Sequence, residues 1–231
     1  MYKLYVLTGA GISSESGIKT FRESGGLWEE YDVMTVASID GWYKNPELVL
    51  QFYNQRRRQL ATAEPNAAHK GLADLEKYFN IHVITQNVDN LHERGGSTNV
   101  LHLHGELTKV RSTLDPSYIN DIGYNDLNMG DKCPKGGQLR PHIVWFGEMV
   151  PKISEAAEMV RNADAFAVVG TSLNVYPAAS LIDYVPDGVP IYLIDPNDVP
   201  APTYRKVEYI KEKAGAGVGI LRKKLFERFG I

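Results

Sequence analysis

At 231 residues, 43% hydrophobic and 23% charged, the chain is long enough for one large domain or for a domain carrying a sizeable insert. A net charge of −3 gives no field for steering onto nucleic acid, no run approaches the ~18 apolar residues of a membrane span, and the lone cysteine, Cys133, excludes an internal disulfide. The start, MYKLYVLTGAG, enters a glycine loop too early for a signal peptide, and the expectation is a soluble, cytoplasmic monomer without direct nucleic-acid or membrane partners.

Leu4–Leu7 reads as a short buried strand that runs straight into Thr8-Gly9-Ala10-Gly11-Ile12-Ser13-Ser14. A strand, then glycines, then a serine-rich helix start is the layout that lets backbone N–H groups approach a phosphate. The fingerprint is incomplete, because Ser14 stands where a third glycine is wanted. Alone, such a loop does not separate a phosphate cradle from a tight turn. Phe21-Arg22-Glu23-Ser24-Gly25-Gly26 follows as a glycine-containing loop with an aromatic and an arginine. Asn45 then caps a helix with Pro46 in its first turn, running through ELVLQFYNQRRRQLATA. Pro65-Asn66 opens another, with Ala67, Leu72, Leu75 and Phe79 on an apolar face.

The central stretch is IHVITQNVDNLHERGGSTNVLHLHGE, residues 81–106. An apolar strand, His82–Thr85, breaks at Gln86-Asn87-Val88-Asp89; a second apolar run, Val100–Leu103, ends at His104-Gly105. Two strands thus carry an amide pair, a carboxylate and an imidazole toward one sheet edge, where α/β folds bind ligands. Turn-forming Asn and Asp and a structural His are the plain alternative. From Leu107 to Arg140 the pattern degrades into short polar pieces, the mark of an inserted module. Alternation resumes with a helix around Ser154–Ala163, the strand Ala165–Val169 ending in Gly170-Thr171-Ser172, a helix near Ala178–Tyr184 and the strand Ile191–Ile194 ending at Asp195. A strand at Val207–Ile210, a Gly-rich turn and a helix through Arg222–Phe229 close the chain. Strands alternating with helices imply an α/β fold around a doubly wound parallel sheet.

GAGIS, TQNVD, HGE, PHIVWFGE and GTSLNVYPA, in that order, resemble the sirtuins, NAD-dependent protein lysine deacylases, over nearly the whole chain. The resemblance implies a Rossmann-type domain made of residues 1–29, 64–106 and 141–231. It implies a smaller domain, a helical part and a zinc-ribbon-like module, from residues 30–63 and 107–140. For NAD it implies Gly9, Ala10, Gly11 and Glu15 near the phosphate loop, and Phe21 and Arg22 in a covering loop. Gln86, Asn87 and Asp89 line the nicotinamide and ribose pocket, Gly170, Thr171 and Ser172 take phosphate and ribose, Asp195 stands where many relatives have Asn, and Ala214 faces adenine. His104 is the implied general base, with Asn87 and Asp89 beside it; His102, two residues away, is picked out against only by the His-Gly-Glu context. Val144, Phe146, Gly147 and Glu148 match the segment that receives an acylated lysine in an extended peptide. The implied chemistry releases nicotinamide and passes the acyl group to ADP-ribose.

The family's zinc module uses two Cys-x-x-Cys pairs, but here Ser112 and Asp115 occupy the first and only Cys133 remains of the second, so no zinc and no other metal is expected. On the helix after Pro46, Tyr53 and Arg56 lie three apart and share a face. They resemble the Tyr-x-x-Arg of the branch that removes succinyl, malonyl or glutaryl groups. Arg57 competes geometrically, and a solvated face is the default for two of the three arginines 56–58. The leading expectation is a deacylase for acetyl and acidic acyl groups. The alternatives are a protein mono-ADP-ribosyltransferase, a non-catalytic NAD or ADP-ribose binding module and, least supported, a hydride-transferring oxidoreductase.

Overall fold

The computed structural model describes residues 1–18, 31–200 and 202–231, so the expected contributions of Phe21 and Arg22 lie outside the described residues. The strand β1 (Lys3–Thr8) has no exposed face past its first residue: Leu4 and Val6 point into one apolar layer, Tyr5 and Leu7 into the other. A strand buried on both faces belongs inside a parallel sheet covered by helices. Its neighbours are β2 (Asn80–Thr85) on one side and β7 (Ala165–Val169) on the other, both parallel to it. With β3 (Val100–His102), β8 (Ile191–Ile194) and β9 (Val207–Ile210) the sheet order is β3-β2-β1-β7-β8-β9, the Rossmann arrangement. All its strand pairs are parallel, so β1, β2 and β7 end on one edge.

Helices cover both faces. The long α4 (Pro46–Thr62) starts as its sequence dictates, with Asn45 Oδ1 accepting from the Leu48 N–H at 3.1 Å and Pro46 in the first turn. The next, α5 (Ala67–Leu75), packs on the sheet with α8 (Ala214–Phe229); α7 (Ile153–Val160) and a 3₁₀ helix (Ala178–Tyr184) fill the other layer. The expected Gly-rich turn is instead the start of α8. Its glycines let the helix approach the sheet: a Cβ on Gly217 would lie 2.2 Å from Ile194 Cγ2. The short segments α1 (Gly11–Ser14), α2 (Val33–Val36), α3 (Ile39–Lys44) and α6 (Leu91–Arg94) complete the helices used below.

The polar stretch after the second run folds as an antiparallel sheet, β5 (Ile119–Asp121), β4 (Gly105–Ser112) and β6 (Leu139–Ile143), packed against α4. At its root Gly105 has φ +82°, and a Cβ there would lie 1.9 Å from His142 O; only glycine allows β4 to leave the site so close to β6. Where the family would have paired cysteines, Ser112 Oγ donates to Cys133 Sγ at 3.2 Å and accepts from the N–H groups of Leu114 and Asp115. Lys135 Nζ donates to Asp115 Oδ2 at 2.7 Å, and with Ser117 it holds that carboxyl down at about 2. One thiol, one engaged hydroxyl and one lysine-paired carboxylate do not fit a four-ligand zinc site.

The three arginines of α4 divide differently from the expectation. Arg58 pairs with Asp126 on the surface, while Arg57 is fully buried, its Nε donating to Leu107 O at 2.9 Å and its Nη1 to Asn54 Oδ1 at 2.7 Å. Asn54 in turn binds both the N–H and the C=O of Leu127. Arg57 therefore ties α4 to the antiparallel module rather than standing in solvent. Arg57→Met should cost roughly 2 kcal/mol or more in urea unfolding, because a buried carbonyl loses its donor, while Arg58→Met should stay within about 0.5 kcal/mol.

Candidate active site

Where the sheet order reverses, β1 and β7 end side by side, and the backbone closes tightly around their ends. Gly9 N donates to Val169 O at 3.1 Å and Gly11 N to Gly170 O at 2.8 Å. Gly170 has φ +62°, and a Cβ on it would sit 2.4 Å from Ile12 N, so this junction admits no side chain. Gly9 and Gly11 pack against Gly170 and Thr171 with no room for a Cβ, so bare backbone stands at the switch point where α/β folds bind dinucleotide phosphates. Thr171 accepts from Gln86 Nε2 at 3.1 Å, which joins the end of β7 to the end of β2. Ser172 is half-buried on the same loop. Farther along the edge, Asp195 Oδ1 accepts from Asn197 N at 2.9 Å in a turn just past β8. Glu15 is exposed and its Oε2 accepts from Gly215 N at 2.8 Å, beside buried Ala214 at the start of α8.

The amide and carboxylate after β2 are fixed by α1. Asn87 Nδ2 donates to Gly9 O and to Ser13 Oγ, both at 3.1 Å, and Ser13 Oγ donates to Asp89 Oδ2 at 2.9 Å. Asp89 Oδ1 accepts from Leu91 N at 3.1 Å. Burial raises the Asp89 carboxyl, opposed by these hydrogen bonds and by the charges of His102 and Arg56. Ser13 is the residue that sequence reasoning passed over; a hydroxyl in the first turn after Gly-x-Gly was its only signal.

The two candidate histidines differ through their partners. The nitrogens of His102 both face groups that only accept, Asn87 O at 3.0 Å from Nδ1 and Glu93 Oε1 at 2.8 Å from Nε2. Both nitrogens must carry hydrogen, so His102 is an imidazolium paired with Glu93. Burial opposes that charge, but the hydrogen bond and charge of Glu93 outweigh it and the pKa is raised. His104 Nδ1 faces only Gln86 O, at 3.0 Å, so the proton sits on Nδ1 and the lone pair on Nε2. Burial lowers its pKa, and the ring is neutral at physiological pH. Of the two, only His104 has a nitrogen ready to take a proton.

A second group of candidate residues comes from α4 and the segment after β6. Tyr53 is buried, and its oxygen accepts from Trp145 Nε1 at 2.8 Å. Burial pushes the Tyr53 hydroxyl up to about 12, so it stays a neutral donor. Arg56, half-buried, has its pKa lowered by burial, against which the Tyr53 and Asp89 charges act; it thus lies in electrostatic reach of both. Phe146 is 46% exposed, but its N–H and C=O are already paired with Ala37 O and Ile39 N. Val144 N donates to His104 O at 2.9 Å, linking this segment to the histidine, and Gly147 is exposed beside it. The Glu148 carboxylate, expected to meet substrate, is taken up by Arg140, Arg111 and the Trp145 N–H. Burial opposes its ionisation, and these donors nonetheless hold its pKa low. It braces the loop.

A family model described as the Sir2 family matches residues 9–177. An NAD-dependent protein deacylase of Bacteroides thetaiotaomicron is 54% identical over 230 residues, covering 97% of this chain and 98% of its own. One of the same description from Helicobacter pylori is 53% identical over 227 residues, covering 98% and 97%. Among solved structures, a Sir2 homologue–NAD complex superposes with a TM-score of 0.86 at 41% identity, covering 96% of this chain and 90% of the other. A Sir2–p53 peptide–NAD⁺ complex gives 0.79 at 30% identity, covering 98% and 93%.

The histidine assignment has a direct readout. In a pH titration of ring ¹⁵N shifts, His104 should lose its second proton below the ordinary 6.5 and His102 above it. The signs for stability are opposite: the His102 pairing contributes fully below pH 6.5 and is lost as pH rises through its folded pKa, whereas neutral His104 favours the fold above 6.5 and that is lost as pH falls. Reversed titration order would transfer the base to His102.

Proposed function

The chain belongs to the Sir2 family, and on that premise we propose that it is an NAD-dependent protein lysine deacylase acting on both acetyl and acidic acyl groups. Full-length similarity to proteins described as NAD-dependent protein deacylases supports the activity. The single structural observation that carries it is His104, half-buried, neutral and with its Nε2 lone pair unspent, bonded to Gln86 O beside Asn87 at the carboxyl edge of a Rossmann sheet.

The glycine loop Gly9–Gly11, packed on Gly170 at the switch point and opening into α1, supports NAD binding there, because bare backbone can approach a pyrophosphate. Ala10, Gln86, Thr171, Ser172 and Asp195 line the same edge, and Glu15 and Ala214 sit by the start of α8; we propose all of them as cofactor contacts, with Phe21 and Arg22 from outside the described residues. Bound NAD supplies a ribose carbon that becomes electrophilic as nicotinamide leaves. The chain's part is positional and acid–base. Asn87 offers a main chain and amide held rigid by Gly9, Ser13 and His102. Asp89 is fixed beside that amide by Ser13 and Leu91. His104 Nε2 accepts a proton from a hydroxyl presented beyond the sheet edge, which typically contributes about 10²–10⁴-fold.

Acidic acyl preference rests on Tyr53 and Arg56. The indole N–H of Trp145 can only donate, so the Tyr53 oxygen accepts and its own hydrogen is directed elsewhere. Together with the Arg56 guanidinium this offers a carboxylate one neutral and one charge-assisted donor. Val144, Phe146 and Gly147 would receive the peptide; the main-chain pairing of Phe146 with residues 37–39 leaves Gly147 as the more open backbone. We further propose a monomer at work in the cytoplasm.

One assay tests both halves: kcat/KM on matched acetyl- and succinyl-lysine peptides with NAD. His104→Ala should lose about 10²–10⁴-fold on both substrates while still binding NAD. Arg56→Met should lower desuccinylation by roughly 10–100-fold and leave deacetylation within a few-fold. Equal loss on both substrates in Arg56→Met would assign that residue to the fold, and label moving from NAD onto protein would favour the ADP-ribosyltransferase.

The module's side-chain pairs also support a zinc-free protein. Elemental analysis should return no stoichiometric zinc, and a chelator should leave Tm unchanged; about one zinc per chain would overturn this.

A further inference from the structure

Buried near the strand ends from which Asn87 projects lie two histidines, His69 and His92, that the reaction does not use. We propose that His92 is a positioning residue whose Nε2–H begins a hydrogen-bond chain through the Thr8 and Thr85 hydroxyls to the Asn87 main chain. The proposal leans on the deacylase reading only for the statement that Asn87 serves the reaction.

The chain is continuous and buried. His92 Nε2 lies 3.0 Å from Thr8 Oγ1, Thr8 Oγ1 donates to Thr85 Oγ1 at 2.8 Å, and Asn87 N donates to Thr85 Oγ1 at 3.0 Å. His92, Thr8 and Thr85 are all 0% exposed. Thr8 and Thr85 are register partners at the last position of β1 and β2, so the chain runs across the two strand ends from which the site projects. Since the one hydroxyl hydrogen of Thr8 goes to Thr85, the Thr8 oxygen must accept from His92, which places the His92 proton on Nε2.

An independent observation arrives at the same tautomer. His69, on α5, packs edge to face with His92 at a centroid distance of 4.9 Å. The Asn66 N–H donates to His69 Nδ1 in the helix-capping box, so the His69 proton is on Nε2. Besides His142 Nδ1 on β6, the ring nitrogens buried without a partner among the described residues are His69 Nε2 and His92 Nδ1. With His92 protonated on Nε2, these are one donor and one acceptor on facing rings. The opposite tautomer would bury two N–H donors together with no acceptor, and each orphaned group is costly. Burial lowers His69 to about 4 and His92 well below its ordinary value, in keeping with two neutral rings.

Asn87 is therefore held at both its side chain, by Gly9 and Ser13, and its main chain, the N–H by Thr85 and the C=O by His102. Without the His92 donor, the Thr8 hydroxyl can turn away from Thr85, and the strand ends lose the contact that fixes the Asn87 backbone.

Two measurements test this. In ¹⁵N ring spectra of the unliganded protein at neutral pH, His92 and His69 should both be neutral Nε2–H tautomers. The Asn87 amide resonances should move in His92→Leu and return in His92→Gln, whose side-chain amide can replace the Nε2–H. With acetyl-lysine peptide and saturating NAD, His92→Leu should lower kcat roughly tenfold with peptide KM within about twofold, and His92→Gln should recover kcat to within about threefold. His92 found as Nδ1–H or as imidazolium, Leu and Gln variants equally impaired, or neither impaired, would each overturn the proposal. A wild type that releases no nicotinamide would instead overturn the deacylase reading, and the spectra alone would then decide this one.

Discussion

The site depends on β1 lying between two parallel partners, with the chain leaving its end toward a helix and the end of β7 pressed against it. Gly11 N donates to Gly170 O, and nothing larger than hydrogen fits between Gly170 and Ile12. That contact brings Thr171 to Gln86 and places α1 where Ser13 can bridge Asn87 and Asp89. A side chain at Gly170 would separate the strand ends and disperse every group the chemistry needs.

Histidines in this region carry different protonation states because each meets different partners. His102 has a carbonyl and a carboxylate, so it is charged; His104 has one carbonyl, so it is neutral with a free lone pair. His69 and His92 are buried, burial lowers the pKa of both, and they stay neutral, their protons directed by a backbone amide and a hydroxyl. Hydrogen-bond direction, more than proximity, distinguishes a base from a strut.

Around the smaller module, short polar pairs stand where a metal would otherwise organise the chain. Ser112 with Cys133 and Asp115 with Lys135 join the two turns that a metal ion would join, and Arg57 anchors the module to α4. The same helix presents Tyr53, whose hydroxyl is oriented by Trp145. Trp145 is itself held by the Glu148 carboxylate and by Arg140 stacked at 3.6 Å on its ring. The proposed acyl recognition and the anchoring of the module thus share one helix through adjacent residues.

Much was legible in the chain alone. Alternating apolar runs and helical periodicities predicted the six strands of the parallel sheet and their order of appearance, and the Asn45-Pro46 and Asn66 caps marked helix starts. These are local signals: a cap, a turn or a periodicity is written within a few residues. Tertiary structure decided what depends on partners far away. Ser13 meets Asp89 across 76 positions and Tyr53 meets Trp145 across 92. Arg57 is buried because Leu107 and Asn54 receive it, though beside Arg56 and Arg58 it reads as one more surface charge. Glu148 turned from substrate contact to brace once Arg111 and Arg140 surrounded it, and the Gly-rich segment became helix because Ile194 requires its close approach. Residue type fixes which bonds a group can make; only the fold decides which partner is within reach.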